Sequence, residues 1–193
     1  MAAERILIGA DNELIAASLQ GQLAALNYEV VGVARSVDEV VRLSQTGKPD
    51  LLLLDIQMPE LTRSLVSGKI GTNSYLPVVI LTDFADDESV REVEGAGVLG
   101  YLVKPVNSEE LPPAIDIALA RFQELRKLRE HADELQATIE ARKLIERATG
   151  VLMKRLHISH DEAEERLHKR SKDQNLSIRD VAQAIIDSDA LLS

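Results

Sequence analysis

The sequence predicts a doubly wound α/β domain with five parallel strands, followed by a coiled-coil helix and a small three-helix module. Three observations predict it. Five short runs are apolar along almost their whole length: RILIGA (5–10), YEVVGVA (28–34), DLLLLDI (50–56), PVVILTD (77–83) and GYLV (100–103). Strands of that kind are buried on both faces, as parallel strands between helical layers are. Helical periodicity separates the runs, and alternating strands and helices build a parallel sheet. From about residue 108 the helical pattern continues without a further strand.

Each element has its own signal. The segment 13–27 repeats Leu14, Leu19, Leu23 and Leu26 at helical spacing. A second helix, 36–47, opens on Ser36 with Glu39 three residues later, the form of a capping box. The third crossover, LTRSLVSGKIGTNSY (61–75), carries Gly68 and Gly71 and a polar tail, so a short or mobile helix is expected there. Residues 88–97 read as a fourth helix, and 108–122 begin a fifth. Further on, Leu125, Leu128, Ala132, Leu135 and Ile139 alternate in steps of three and four, a coiled-coil seam of two heptads. Such a stripe is expected to pair two copies of the chain; packing on its own chain is the alternative. Ser159 with Glu162, and Ser177 with Asp180, open two last helices. The expected division is 1–122, 123–140 and 141–193.

Charge divides the chain similarly. Residues 1–120 hold 8 Lys and Arg against 18 Asp and Glu, whereas residues 121–193 hold 14 of each and all four His. Two modules with different partners follow from that asymmetry. The absence of cysteine excludes disulfides and thiolate metal sites. No apolar run approaches a membrane span and the N-terminus lacks a signal-peptide pattern, so a cytoplasmic protein is expected.

In a parallel sheet, ligands bind beyond the carboxyl ends of the strands. Asp11, Asp55, Thr82 and Lys104 each follow such an end. Asp55 emerges from an apolar floor, and an Asp carboxylate is a competent nucleophile toward phosphorus. Neighbouring acids favour a hard cation such as Mg2+, which keeps waters and takes phosphate oxygens. Thr82 and Lys104 offer a hydroxyl and a positive charge to phosphoryl oxygens. An Asp55–Lys104 pair serving only as a structural ion pair is the alternative.

The runs ILIGADNE, LLLLDIQMP, VVILTD and GYLVKP resemble the receiver domain of bacterial response regulators, over about residues 4–122. The resemblance implies a flavodoxin-like fold phosphorylated by a histidine kinase. Asp55 would be the phosphoacceptor, and Asp11, Asp55 and the carbonyl of Gln57 the Mg2+ ligands. Thr82, Lys104 and the aromatic Tyr101 would form the switch. Ala10 departs from the pattern, since two adjacent acids are usual there; Asn12 and Glu13 are the nearest groups for partial compensation. Asp83 stands where a small residue is usual, and the segment after Pro59 lacks an early glycine.

In the second module, Lys143, Arg147, Gly150 and Lys154 share one helix face, while Ile145, Ala148, Leu152 and Leu156 share another. A mid-helix glycine costs roughly 1 kcal/mol relative to Ala. Close approach of a ligand backbone would justify it, as would a kink or a tight helix crossing. Further cations follow at Arg155, His157, His168, Lys169, Arg170, Lys172 and Arg179. The stretch ATGVLMKRLHISHDEAEERLHKRSKDQNLSIRDVAQAII resembles the ANTAR domain of transcription antitermination regulators, over about residues 132–190. The resemblance implies binding to RNA stem-loops in a nascent transcript. With it the expected contacts are Lys143, Arg147, Thr149, Gly150, Met153, Lys154 and Arg155. Thr149, Glu164 and Ser171 replace a Lys, an aromatic and an Ala common in the family. The connections LHIS and QNLS lack the short glycine turn of a helix-turn-helix, which argues against duplex DNA. No enzymatic cluster beyond the acidic rim is evident.

Overall fold

The computed structural model describes residues 3–70, 76–83, 91–93 and 96–191. The chain divides into two compact units, Met1–Arg126 and Lys127–Ser193. The first holds five strands: β1 (Arg5–Gly9), β2 (Glu29–Ala34), β3 (Leu51–Asp55), β4 (Val78–Thr82) and β5 (Val98–Val103). All pair in parallel in the order β2-β1-β3-β4-β5. The doubly wound sheet is therefore as the sequence predicts.

Burial follows position in the sheet. Central strands β3 and β4 are buried throughout. At the edges, β2 buries only Ala34 and β5 only Leu102. The expectation that all five are sealed on both faces is thus corrected: an edge strand has one neighbour and less cover. Within the central strands, alternate residues face opposite layers. Ile6, Ile8, Leu51, Leu53, Val79 and Leu81 meet Leu19 and Leu23 of α1 (Glu13–Ala25) and Leu111, Ile115 and Ala118 at the start of α4 (Leu111–Leu156). Leu7, Leu52, Leu54, Val78 and Ile80 meet α2 (Val37–Gly47) and α3 (Leu61–Val66) on the other side. At Gly9 that layer leaves no room for a side chain: a Cβ would lie 2.6 Å from Leu54 Cδ2 and 3.2 Å from Val40 Cγ2.

Helix starts differ in detail from their sequence signatures. Ser36 caps α2 by accepting the Glu39 N–H at 3.3 Å, but the Glu39 carboxylate accepts the Arg35 N–H instead of closing a reciprocal box. Helix α3 is short, six residues, as expected. The remainder of that crossover over 71–75, and half of the expected helix 88–97, lie outside the described residues. Helix α4 runs unbroken over 46 residues, with Pro112 and Pro113 in its first turn, where no intrahelical N–H bond is lost. Along it Leu125, Leu128, Leu135 and Ile139 are 49–66 % exposed.

The second unit adds α5 (His160–Gln174) and α6 (Ile178–Leu191). Ser159 and Glu162 form a complete capping box at α5. At α6, Ser177 Oγ accepts the Asp180 N–H and donates to its carboxylate at 2.6 Å. Ala148, Leu167, Val181 and Ala182 form a small core with Leu144, Ile145, Leu152, Ile178, Ile185 and Ile186 around it. Leu156, expected on the packed face, is 45 % exposed because α4 ends there.

Candidate functional site

The parallel register brings the strand ends to one rim. Asp55 is the last residue of β3 and sits opposite Leu81; Thr82 ends β4 opposite Val103. The Lys104 N–H donates to Thr82 O at 2.8 Å, which carries the lysine to the same edge. Asp55 is 1 % exposed. Its Oδ1 accepts from Lys104 Nζ at 2.9 Å and from the Gln57 N–H at 3.1 Å, and its Oδ2 lies 3.2 Å from Nζ. A buried pair of this kind is held by its mutual charge: removing one partner typically costs about 3–5 kcal/mol, because the other stays buried and unpaired.

Asp83 adds a second acid to the lysine, its Oδ2 3.5 Å from Nζ. The same oxygen accepts from Gln57 Nε2 at 2.6 Å. Thr82 is buried, and its hydroxyl donates to Asp83 O at 3.1 Å. Tyr101, three residues before the lysine on β5, is 39 % exposed.

Asp11 is exposed in the loop after β1. Ala10 is 1 % exposed and belongs to the α1-side core, its N–H bonded to Ala34 O. The neighbours expected to compensate are committed elsewhere. The Asn12 side chain caps α1 by accepting the Leu14 and Ile15 N–H groups, and Glu13 pairs with Arg35 at 2.7 Å. Among the described residues no three His, Cys, Asp or Glu cluster as a metal site. The donors that the resemblance would give a cation are the Asp11 and Asp55 carboxylates and the Gln57 carbonyl. That oxygen-only set fits a Mg2+ ion that keeps several waters.

Beside the rim lies a cleft of about 430 Å3, lined by Leu14, Ile15, Gln57, Asp83, Lys104 and Pro105 among others. Leu14 at its edge is 81 % exposed.

In the second unit, Lys143, Arg147, Gly150 and Lys154 are all exposed on one face of α4. None of the three cations forms an ion pair among the described residues. A Cβ on Gly150 would meet nothing within 4 Å, so no tight helix crossing among the described residues accounts for the glycine. Two of the expected contacts have partners within the module. Thr149 is 1 % exposed and its hydroxyl donates to Ile145 O, which turns it into the module's interior. Arg155 is tied to Asp189 of α6 at 2.6 Å, a link within the module. Met153 is 37 % exposed.

Residues 6–116 match the response regulator receiver domain, and residues 133–186 match the ANTAR domain. The chain belongs to the response regulators that join a receiver to an ANTAR domain. Among similar proteins, the transcriptional regulatory protein PdtaR of Mycobacterium tuberculosis is 33 % identical over 184 residues, covering 95 % of this chain and 90 % of PdtaR. The receiver resembles solved ones. That of a modulated diguanylate cyclase from Desulfovibrio desulfuricans G20 superposes with a TM-score of 0.57 at 29 % identity, covering 63 % of this chain and 97 % of that one. A receiver domain protein from Clostridium thermocellum gives 0.55 at 29 % identity, covering 63 % and 98 %. In this response regulator no helix among the described residues is long and apolar enough to cross a membrane.

Sequence reading found Asp83 as a departure but not its bond to Gln57, 26 residues away. It also missed the exposed Leu14, whose apolar character fitted the helix's buried stripe equally well.

Proposed function

We propose that this response regulator binds RNA stem-loops through its second unit, promotes transcription antitermination, and is controlled by phosphorylation of Asp55. The observation that carries the control is the buried Asp55 carboxylate with Lys104 Nζ at 2.9 Å on the rim where parallel sheets bind ligands. A histidine kinase is the natural donor. An Asp55 oxygen forms a bond to phosphorus as the phosphohistidine N–P bond breaks, and the imidazole nitrogen keeps the electron pair. Lys104 then turns from the carboxylate to the phosphoryl oxygens, with Thr82 as a hydroxyl donor and Tyr101 following the change. Mg2+, held by Asp11, Asp55 and the Gln57 carbonyl, would offset the phosphoryl charge. The exposed Leu14 beside the cleft offers the donor protein an apolar foothold.

The ANTAR match supports RNA as the ligand. Lys143, Arg147 and Lys154 present cations with no ion pair among the described residues around the open backbone at Gly150, with Met153 at the margin. The exposed seam on α4 supports a homodimer, in which two weak RNA sites gain avidity. Phosphorylation would act by shifting the population toward that dimer. A second reading, regulation without phosphorylation, is favoured by Ala10 and by the acid at 83.

Titration of a stem-loop RNA with the wild type and Lys154→Ala tests the binding face. The variant should bind more weakly and lose affinity less steeply with salt, by one phosphate contact. Equal affinity at moderate salt would move the face elsewhere, and a preference for duplex DNA would replace the RNA reading.

A further inference from the structure

The groups at the rim close into a ring. Lys104 Nζ bonds Asp55 at 2.9 Å and lies 3.5 Å from Asp83 Oδ2; the same Asp83 oxygen takes Gln57 Nε2 at 2.6 Å; the Gln57 N–H returns to Asp55 at 3.1 Å. The ring joins the turn after β3, the end of β4 and the end of β5. Its members are not equally deep. The Asp55 and Lys104 side chains are 1 % and 10 % exposed, whereas the Asp83 side chain is 41 % exposed. Asp83 and the exposed Gln57 are the outer members, bonded to each other above the buried pair.

We propose that Asp83 is a latch on the phosphoacceptor, which selects against small phosphodonors. This role rests on Asp55 being the phosphoacceptor. Two effects act together. A phosphoryl group arriving at Asp55 needs Lys104 for its oxygens, and Asp83 competes for that cation. The Asp83 charge also repels the anionic donor, and its bond holds Gln57 in place. A small anion brings nothing to open the ring. A protein donor seated in the adjoining cleft, which Gln57, Asp83 and Lys104 themselves line, contacts the latch directly and is less impeded.

The same carboxylate admits the opposite role, a third acid that makes up for Ala10 in holding the cation, and the two roles differ in sign. Full-length wild type, Asp83→Ala, Asp83→Asn and Gln57→Ala are incubated with acetyl phosphate and Mg2+, and the acyl phosphate on Asp55 is followed by intact mass. In this step an Asp55 oxygen bonds phosphorus while the bond from phosphorus to the acetate oxygen breaks, and acetate leaves with the electron pair. Asp83→Ala should label faster by about threefold to tenfold, the size of one partly exposed charge contact. Asp83→Asn, which keeps an acceptor for Gln57 but not the charge, should fall between it and wild type. A rate equal to wild type removes the latch while leaving Asp55 the acceptor, and a slower rate makes Asp83 a cation ligand instead. Labelling absent from every variant overturns the phosphoacceptor reading and the latch with it. A metal-free readout stands beside these. In a thermal double-mutant cycle, Gln57→Ala and Asp83→Ala should be non-additive, as contacting residues are. Additive shifts mean that the ring does not form, which also overturns the latch.

Discussion

Gly150 is the residue at which folding and binding make opposite demands. Beyond its own helix turns, nothing among the described residues lies within 4 Å of a Cβ placed there, and it stands inside the helix. Gly150→Ala should therefore stabilise the module by about 1 kcal/mol, the helix-propensity difference. If the open backbone serves RNA, the same change weakens stem-loop binding. A denaturation midpoint and an RNA titration on one variant check both; a more stable protein with unchanged affinity would show that the glycine has no ligand. Asp55 and Lys104 were legible in the sequence because each follows an apolar strand, and strand ends in a parallel sheet share an edge. The tasks of Asn12, Glu13 and Thr149 were not legible. Their polar groups had equally plausible partners within a few residues, and only backbone geometry chose the α1 cap, the Arg35 pair and the Ile145 carbonyl.

At the scale of elements, caps and the seam carry the predictions. At α5, hydrogen bonds from the Ser159 backbone and side chain hold the Glu162 carboxyl below its usual range. A carboxyl lowered on folding stabilises the fold fully above its unfolded value, about 4.3, and that stability is lost as pH falls through the lower folded value. Melting temperatures measured from pH 6 to pH 3 should fall more for wild type than for Glu162→Gln, and parallel curves would remove the cap's contribution. Along α4, the exposed leucines predict a dimer of modest affinity from two heptads. Each fully buried Leu contributes about 1.5–3 kcal/mol, so Leu128→Glu with Leu135→Glu should weaken association by about a hundredfold or more. Sedimentation across a concentration series checks this, and identical behaviour would place the dimer contact off the seam. The periodicity of α4 was plain from sequence because the stripe repeats over many turns. Exposure of β2 and β5 was not, because an apolar run reads alike at a sheet's edge and at its centre.

For the whole molecule, the two family matches fall on separate regions, 6–116 and 133–186, of one chain. The central claim is that the state of Asp55 sets the affinity of the helical module for RNA. It is tested most directly by stem-loop binding to the full chain, with and without a phosphodonor and Mg2+, in wild type and Asp55→Ala. The account predicts tighter binding by phosphorylated wild type, and no response in the variant. An affinity that stays constant while intact mass shows Asp55 phosphorylated would contradict it.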